Sequence, residues 1–203
     1  MRSNTRLGRP RKKSRTTSSA RLRSSPPRIS PRRNVLGVYV HLPYCPYLCP
    51  YCDFAKWPLR ESSARRYLAA LEAEIECEAR ATAGTIYFGG GTPNAYGAQT
   101  IADLSGRLEE RFGAIVERSI ELNPELVADG DARRYREAGI TRLSIGVQSF
   151  EPFEIRTLGR KHSVAHVESL VDAARNAGIA SVSLDLMFAV PGQTAASWER
   201  SLQ

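Results

Sequence analysis

From about residue 34 onward, short strand-like hydrophobic runs alternate along the chain with longer segments whose apolar residues recur at helical spacing. Short runs rich in β-branched and aromatic residues are typical of strands, and they occur at 35–40, 85–88, 119–122, 141–147 and 181–190. Apolar residues at helical spacing predict helices at 61–80, 99–112, 126–138 and 165–177, with a last helix from near Ala195. Strands that alternate with helices are typical of βα units and a parallel sheet. The sequence therefore predicts an α/β fold with about five βα units.

Glycine, proline and polar residues directly follow several of these strands, at 89–93, 123–124 and 191–192. Right-handed crossovers place the helices outside the sheet. In open α/β sheets and α/β barrels the sites lie at the carboxyl ends of the strands, so we expect a site at this edge. A closed barrel needs more units than the sequence supplies. We therefore expect a partial TIM-like (β/α) barrel that is truncated before closure.

The net charge of +8 is distributed unevenly along the chain. Twelve of the 29 Lys and Arg residues lie in residues 1–33, which contain no Asp or Glu, so the other 17 basic residues stand against 21 acidic ones. A slightly acidic remainder argues against a nucleic-acid-binding domain. The sequence predicts two parts, a basic tail at 1–33 and a folded domain at 34–203 that is incomplete at its C-terminus.

The tail is rich in Arg, Ser and Pro and has no apolar run, so we expect it to be disordered. The sequence shows neither the apolar core of a secretory signal nor a membrane-spanning stretch, which favours a cytoplasmic location. An Arg- and Ser-rich segment without acidic residues is also typical of an organelle transit peptide. A solvated extension and a misassigned start codon are alternatives, and the sequence leaves all three open.

Three of the four cysteines, Cys45, Cys49 and Cys52, form a C-x3-C-x2-C loop, whereas Cys77 stands apart between two glutamates. A disulfide framework in a secreted protein would spread its cysteines, so this grouping indicates a metal site in a reducing compartment. Three thiolates can hold three irons of a [4Fe–4S] cluster and leave the fourth iron open to a small molecule. A zinc site completed by His41 and three incidental thiols are the alternatives.

The cysteine loop is the first of six motifs that follow one another along residues 35–203. They are Tyr39–Phe54, Phe88–Pro93, Glu121–Pro124, Arg142–Phe150, Leu158–Arg160 and Leu184–Thr194. In this order and spacing they resemble the radical S-adenosylmethionine (SAM) proteins. Within that group, the chain is most similar to the family of oxygen-independent coproporphyrinogen III oxidases and heme chaperones.

The resemblance implies one [4Fe–4S] cluster, bound by Cys45, Cys49 and Cys52, with SAM chelating the fourth iron through its amino and carboxylate groups. One electron would then cleave SAM to methionine and a 5′-deoxyadenosyl radical. Arg160 is expected to face the SAM carboxylate, and Asp185 is expected to accept from a ribose hydroxyl. The full set of SAM contacts implied by the resemblance is Tyr39, Tyr51, Gly90, Gly91, Thr92, Glu121, Gln148, Arg160 and Asp185.

Phe54 helps to distinguish the two functions found in this family, heme chaperone and coproporphyrinogen III dehydrogenase. Coproporphyrinogen III dehydrogenases carry a further cysteine two residues after the third, and this chain has Phe54 there, as heme chaperones do. The resemblance therefore favours a chaperone that binds heme or porphyrin and delivers heme to acceptor proteins, with a reductant protein for the cluster. A dehydrogenase and an inactive truncated fragment are alternatives. No heme ligand is carried over, and His162 and His166, expected on or before a surface helix, receive no role.

Overall fold

The computed structural model describes residues 36–203, and a parallel sheet forms its centre. Counted along the chain, the strands are β1 (Leu36–Leu42), β2 (Tyr44–Cys45), β3 (Trp57–Pro58), β4 (Ala83–Gly90), β5 (Glu117–Leu122), β6 (Arg142–Gln148) and β7 (Ser181–Leu186). Five of them form the main sheet in the order β1-β4-β5-β6-β7, and every neighbouring pair is parallel. Because the strand order follows the chain order, the connections are successive βα crossovers, and the predicted α/β fold is confirmed.

The helices that connect these strands carry the apolar spacing seen in the sequence. They are α1 (Glu61–Cys77), α2 (Ala98–Phe112), α3 (Asp131–Glu137), α4 (Pro152–Thr157), α5 (Val164–Asn176) and α6 (Ala195–Leu202), with 3-10 turns at Pro93–Tyr96 and Pro124–Leu126. In α2, for example, Ile101, Leu104 and Leu108 are buried at spacings of three and four residues. This spacing gives α2 one apolar face against the sheet.

Alternation along each strand separates a core face from a polar face. Phe88, Ile120 and Ile145 are fully buried and belong to the main hydrophobic cluster together with residues of the helices. Their chain neighbours point the other way, and Glu121 and Ser144 thus lie on the inner face of the curled sheet. The helices pack against the opposite, apolar face of the sheet. The polar side chains on the inner face are therefore left free to line a site.

Element boundaries differ from the sequence prediction where tertiary contacts decide them. The strand predicted at 181–190 ends at Leu186, and the backbone adopts a positive φ of 60° three residues later, at Ala189. The helix predicted at 126–138 begins only at Asp131, after a separate 3-10 turn. Helix α1 ends at Cys77, so this cysteine lies at a helix terminus and is exposed. The short helix α4 was not predicted at all.

The predicted disordered tail, residues 1–33, falls outside the residues that the structure describes. Its proposed targeting role and the division of the chain at residue 34 therefore stay predictions. Within residues 36–203, no helix combines the length and the apolar character needed to cross a membrane.

Candidate functional site

The cysteine loop leaves and re-enters the fold at a small two-stranded pairing. Tyr44 and Cys45 of β2 pair in parallel with Trp57 and Pro58 of β3. The Trp57 amide donates to the Pro43 carbonyl at 2.9 Å, and an amide two residues further donates to the Cys45 carbonyl at 2.8 Å. The ends of the loop are thereby fixed to each other, and the cysteines project from a closed loop.

All three cysteines of this loop line one cavity of about 660 Å³. Cys45 is buried beside the β2–β3 pairing, whereas Cys49 and Cys52 are half-buried. The other predicted site residues on the cavity wall are Tyr51, Gly90, Gly91, Thr92, Glu121, Gln148, Arg160 and Asp185. The fold therefore brings together every predicted site residue except Tyr39, from the ends of β4, β5, β6 and β7, from the cysteine loop and from the segment after α4.

Gly91 is the point at which the end of β4 meets the cysteine loop. A Cβ at this position would stand 2.5 Å from the Pro43 carbonyl oxygen and 2.9 Å from the Cys45 sulfur. Both contacts are too short for any side chain, so only glycine permits this approach. The approach also places the Thr92 side chain at Cys45, where burial raises the pKa of the thiol and a hydrogen bond from Thr92 partly offsets that effect.

Two carboxylates face the cavity from neighbouring parts of the sheet, and each is held by a hydroxyl. Glu121 accepts from the Tyr87 hydroxyl at 2.9 Å and from the Gly90 amide at 3.1 Å. Both oxygens of Asp185 lie 3.0 Å from the Ser144 hydroxyl. Burial raises the pKa of Glu121, the two hydrogen bonds lower it, and nearby Asp185 raises it further, with a net increase. The pair forms an acceptor-rich wall opposite the cysteines.

Gln148 and Arg160 supply the polar groups on the other side of the cavity. The β6–β7 register shifts between Gly146 and Gln148, and Gln148 has a positive φ of 67°. This irregularity leaves Val147 without a partner in the register, whereas Gln148 pairs with Leu186 and lines the cavity. The Arg160 guanidinium donates to the Gly146 carbonyl at 2.6 Å and is 8% exposed. It therefore presents a buried cation to the same space.

The two predicted aromatic contacts occupy different places. Tyr51 lines the cavity, and burial raises its pKa to about 12. Tyr39 is absent from the cavity wall and stacks on Tyr87 with ring centroids 6.0 Å apart. Since Tyr87 donates to Glu121, Tyr39 supports the acceptor wall from behind.

A cluster fits the cysteine arrangement better than a single zinc ion does. Zinc needs four ligand atoms within about 2.0–2.3 Å of one point, and among residues 36–203 no three His, Cys, Asp or Glu side chains are grouped to hold one ion. His41 has Nε2 at 3.0 Å from the Ala55 carbonyl and Nδ1 at 3.1 Å from the Tyr39 hydroxyl, so both nitrogens are engaged. A [4Fe–4S] cluster binds each thiolate through a different iron, which suits sulfurs spread around a cavity.

His162 lies directly before α5, as predicted, but its side chain is not on the surface. Its side chain is fully buried, 3.9 Å from Glu125, because the segment after Arg160 packs against the cysteine loop. His166 does lie in the first turn of α5, where Nδ1 accepts from the Ser163 amide as part of a capping box. Sequence reasoning also missed Tyr47, which shares the cavity wall and bonds to Glu125.

Comparison with known proteins agrees with the motifs. The sequence model of the Radical SAM superfamily matches residues 39–203. The chain is 35% identical over 173 residues to the heme chaperone HemW of Bacillus subtilis, covering 82% of this chain and 46% of that protein. It is 32% identical over 169 residues to the oxygen-independent coproporphyrinogen III oxidase of Bradyrhizobium diazoefficiens, covering 79% and 38%.

A solved structure shows the same similarity in three dimensions. Coproporphyrinogen III oxidase (HemN) from Escherichia coli, a radical SAM enzyme, superposes with a TM-score of 0.76 at 33% identity. The superposition covers 83% of this chain and 40% of that one. The chain thus spans less than half the length of these relatives.

Proposed function

The chain belongs to the radical SAM superfamily, and we propose that Cys45, Cys49 and Cys52 bind a [4Fe–4S] cluster that takes SAM at its open iron. The observation that carries this proposal is the single cavity shared by the three thiols and the ends of the strands. When bound, the cluster and SAM supply one-electron cleavage of a carbon–sulfur bond of SAM.

The residues around the cavity match the chemistry of SAM. We propose that Arg160 pairs with the SAM carboxylate, since a guanidinium and a carboxylate form charge-assisted hydrogen bonds. Glu121 is an acceptor for the amino or sugar portion, and Asp185 is an acceptor for ribose hydroxyls. Gly90, Gly91 and Thr92 let the backbone approach the methionine end closely. Further polar and aromatic contacts come from Gln148 and Tyr51, with Tyr39 contributing through Tyr87.

For the whole protein, we propose a role in heme or porphyrin metabolism, with heme binding and delivery to acceptor proteins as the function. The similarity to proteins named heme chaperone supports the class. Phe54 favours the chaperone function, because it lies on the cavity wall, is 73% exposed, and occupies the position of the further dehydrogenase cysteine. A reductant protein would supply electrons to the cluster.

Coproporphyrinogen III dehydrogenase activity is the second candidate. The similarity to the coproporphyrinogen III oxidase (HemN) of Escherichia coli, at a TM-score of 0.76, favours it. The two functions make different demands on the chain, because the dehydrogenase consumes SAM and removes two carboxylates from its substrate, whereas heme delivery leaves heme chemically unchanged.

Anaerobic reconstitution with iron and sulfide tests the cofactor proposal. We expect about four irons per chain and an electron paramagnetic resonance spectrum that changes when SAM is added. Cys45→Ala, Cys49→Ala and Cys52→Ala should each abolish cluster binding, while Cys77→Ala, as the matched control, retains it. Loss of the cluster in Cys77→Ala would contradict the three-cysteine assignment, and zinc in place of iron would contradict the cofactor itself.

Two assays on the reconstituted protein separate the candidate functions. Heme titration followed by transfer to an apo-acceptor protein tests delivery. Incubation with coproporphyrinogen III, SAM and a reductant, with release of carbon dioxide as the readout, tests the dehydrogenase. Carbon dioxide release without heme transfer would overturn the chaperone proposal.

A further inference from the structure

A short segment that follows α4, residues 159–162, contacts the cysteine loop repeatedly. Gly159 has a positive φ of 67°, and a Cβ there would stand 2.8 Å from the Pro50 ring. The next-but-one residue, Lys161, places its ammonium 4.6 Å from the centre of the Tyr47 ring. Both Pro50 and Tyr47 lie within the cysteine loop. The loop is thus packed against a segment far away in sequence, independently of any bound group.

Glu125 joins this segment to the loop. It lies in the 3-10 turn that follows β5, and its side chain is 9% exposed. The Tyr47 hydroxyl donates to Glu125 Oε1, which is a contact between residues 78 positions apart. A hydrogen bond to a carboxylate is stronger than one between neutral groups. The loop is therefore anchored by a charge-assisted bond to the end of a core strand.

The second oxygen of Glu125 faces buried groups that have no partners. In the described part of the chain, six buried side-chain polar atoms lack a hydrogen-bond partner, and four of them belong to Glu125, Arg160 and His162. His162 Nδ1 lies 3.9 Å from Glu125 Oε2. Burial and the charge of Arg160 lower the pKa of His162. Buried polar atoms without partners are costly, so such a group of them indicates a role other than stability.

Arg160 depends electrostatically on the same two residues. Burial alone would lower the pKa of its guanidinium, but Tyr47 and Glu125 raise it overall. Glu125 therefore accepts from the loop through Tyr47, and its charge is one of the causes that raise the pKa of Arg160.

We propose that Tyr47 and Glu125 are positioning residues whose hydrogen bond sets the placement of the cysteine loop relative to Arg160. Neither is a ligand of the cluster or of SAM in the proposal above. Anchoring of the loop is a property of the chain alone. The consequence for SAM, that the distance from the cluster to the guanidinium is fixed by this pair, rests on the proposed function.

Amide hydrogen exchange of residues 46–56 in the metal-free protein tests the anchor without any cofactor. We expect Tyr47→Phe and Glu125→Ala each to raise exchange in this loop about tenfold, the effect of losing one hydrogen bond to a charged group. Glu125→Gln should restore protection, because its amide oxygen still accepts from Tyr47. Tyr67→Phe is the matched control, since it removes a tyrosine hydroxyl that donates to the His41 carbonyl at 2.7 Å, outside the loop.

The reconstituted protein tests the consequence for SAM. Glu125→Gln keeps the hydrogen bond but removes the negative charge of Glu125. We therefore expect that about tenfold more SAM is needed for the same spectral change, with iron content unchanged. Tyr47→Phe should release its cluster to a chelator faster than Tyr67→Phe does.

The outcomes separate the two proposals. Unchanged loop exchange in both Tyr47→Phe and Glu125→Ala would overturn the anchor, whether or not a cluster binds. If loop exchange rises in the correctly folded variants but the wild-type protein takes up no iron, the anchor is supported and the proposed function is contradicted. If Glu125→Ala fails to fold, Tyr47→Phe against Tyr67→Phe decides the question alone.

Discussion

Two buried glutamates near the carboxyl ends of the strands are partnered very differently. Glu154 in α4 is 1% exposed and accepts from Ser197 at 2.6 Å, from Ser149 at 2.7 Å and from Gln193 at 2.8 Å. Glu125 accepts from Tyr47 on one oxygen and has no partner on the other.

The difference separates a structural role from a functional one. Glu154 joins three segments of the chain, namely the end of β6, the loop after β7 and helix α6, and both its oxygens are used. A carboxylate whose oxygens are all bonded stabilises a fold. Glu125 keeps an unused oxygen beside unpartnered groups of Arg160 and His162, next to the cavity. Incomplete bonding near a cavity is typical of a site.

Removal of Glu154 should have the largest effect on stability. Glu154→Ala removes the acceptor of two buried hydroxyls, Ser149 and Ser197, and of the half-buried Gln193 amide, and we expect the free energy of unfolding to fall by about 3 kcal/mol. Chemical denaturation of the metal-free protein measures this loss. Glu168→Ala, at an exposed position of α5, is the control and should change stability by less than about 0.5 kcal/mol. Equal losses of stability in Glu154→Ala and Glu168→Ala would show that Glu154 has no special structural role.

The same conservative substitution at both glutamates should sharpen the contrast. Glu154→Gln turns one acceptor oxygen into a donor that faces other donors, at a cost of about 2 kcal/mol. Glu125→Gln keeps its acceptor for Tyr47 and gives the unpartnered side a donor, so its cost should stay below about 1 kcal/mol. Denaturation midpoints of the two variants, measured side by side, check the ranking. A larger loss at Glu125 than at Glu154 would reverse the assignment of roles.

Acid should weaken the fold through Glu154. Burial alone would raise the pKa of Glu154, but hydrogen bonds from Ser197, Ser149 and Gln193 lower it overall, below its ordinary value of 4.5. A lowered native pKa means that the stabilisation is fully present above pH 4.5 and is lost as the pH falls through the native pKa. Thermal unfolding between pH 6 and pH 3 should show a steeper decline for wild type than for Glu154→Gln. Parallel declines would show that Glu154 is not the group that titrates.

The smallest effect is expected at His162. Its two ring nitrogens have no hydrogen-bond partner among the described residues, so His162→Gln removes little and supplies an amide that can donate to Glu125. We expect the free energy of unfolding to change by less than about 1 kcal/mol. Differential scanning calorimetry of the metal-free protein checks this. A loss as large as that of Glu154→Gln would mean that His162 is structural.

The sequence was sufficient wherever a local pattern carried the information. The five strands, the cysteine loop and the motif residues at strand ends are each visible within a few consecutive residues, and the fold brings these motif residues, except Tyr39, to one cavity. Strand β7 was predicted too long because the apolar run continues past Leu186, whereas the strand ends there and the backbone has a positive φ at Ala189.

The anchor of the cysteine loop was invisible for a different reason. Tyr47 and Glu125 meet across 78 positions, and neither has a neighbour that signals the contact. His162 follows Arg160 and Lys161, a charged stretch that reads as solvent-exposed. Its side chain is nevertheless fully buried, in a segment where Gly159 closely approaches Pro50, and only the assembled fold reveals this packing.

The pairing of β2 with β3 has a consequence for the entropy of placing the three thiols. Because the ends of the cysteine loop are held together by backbone hydrogen bonds, the entropy of closing that loop is lost when the chain folds and not when metal arrives. Under the proposed function, the three thiols would form a preorganised chelator. A chain that lost the proposed cluster would keep the backbone pairing that holds the ends of the loop together.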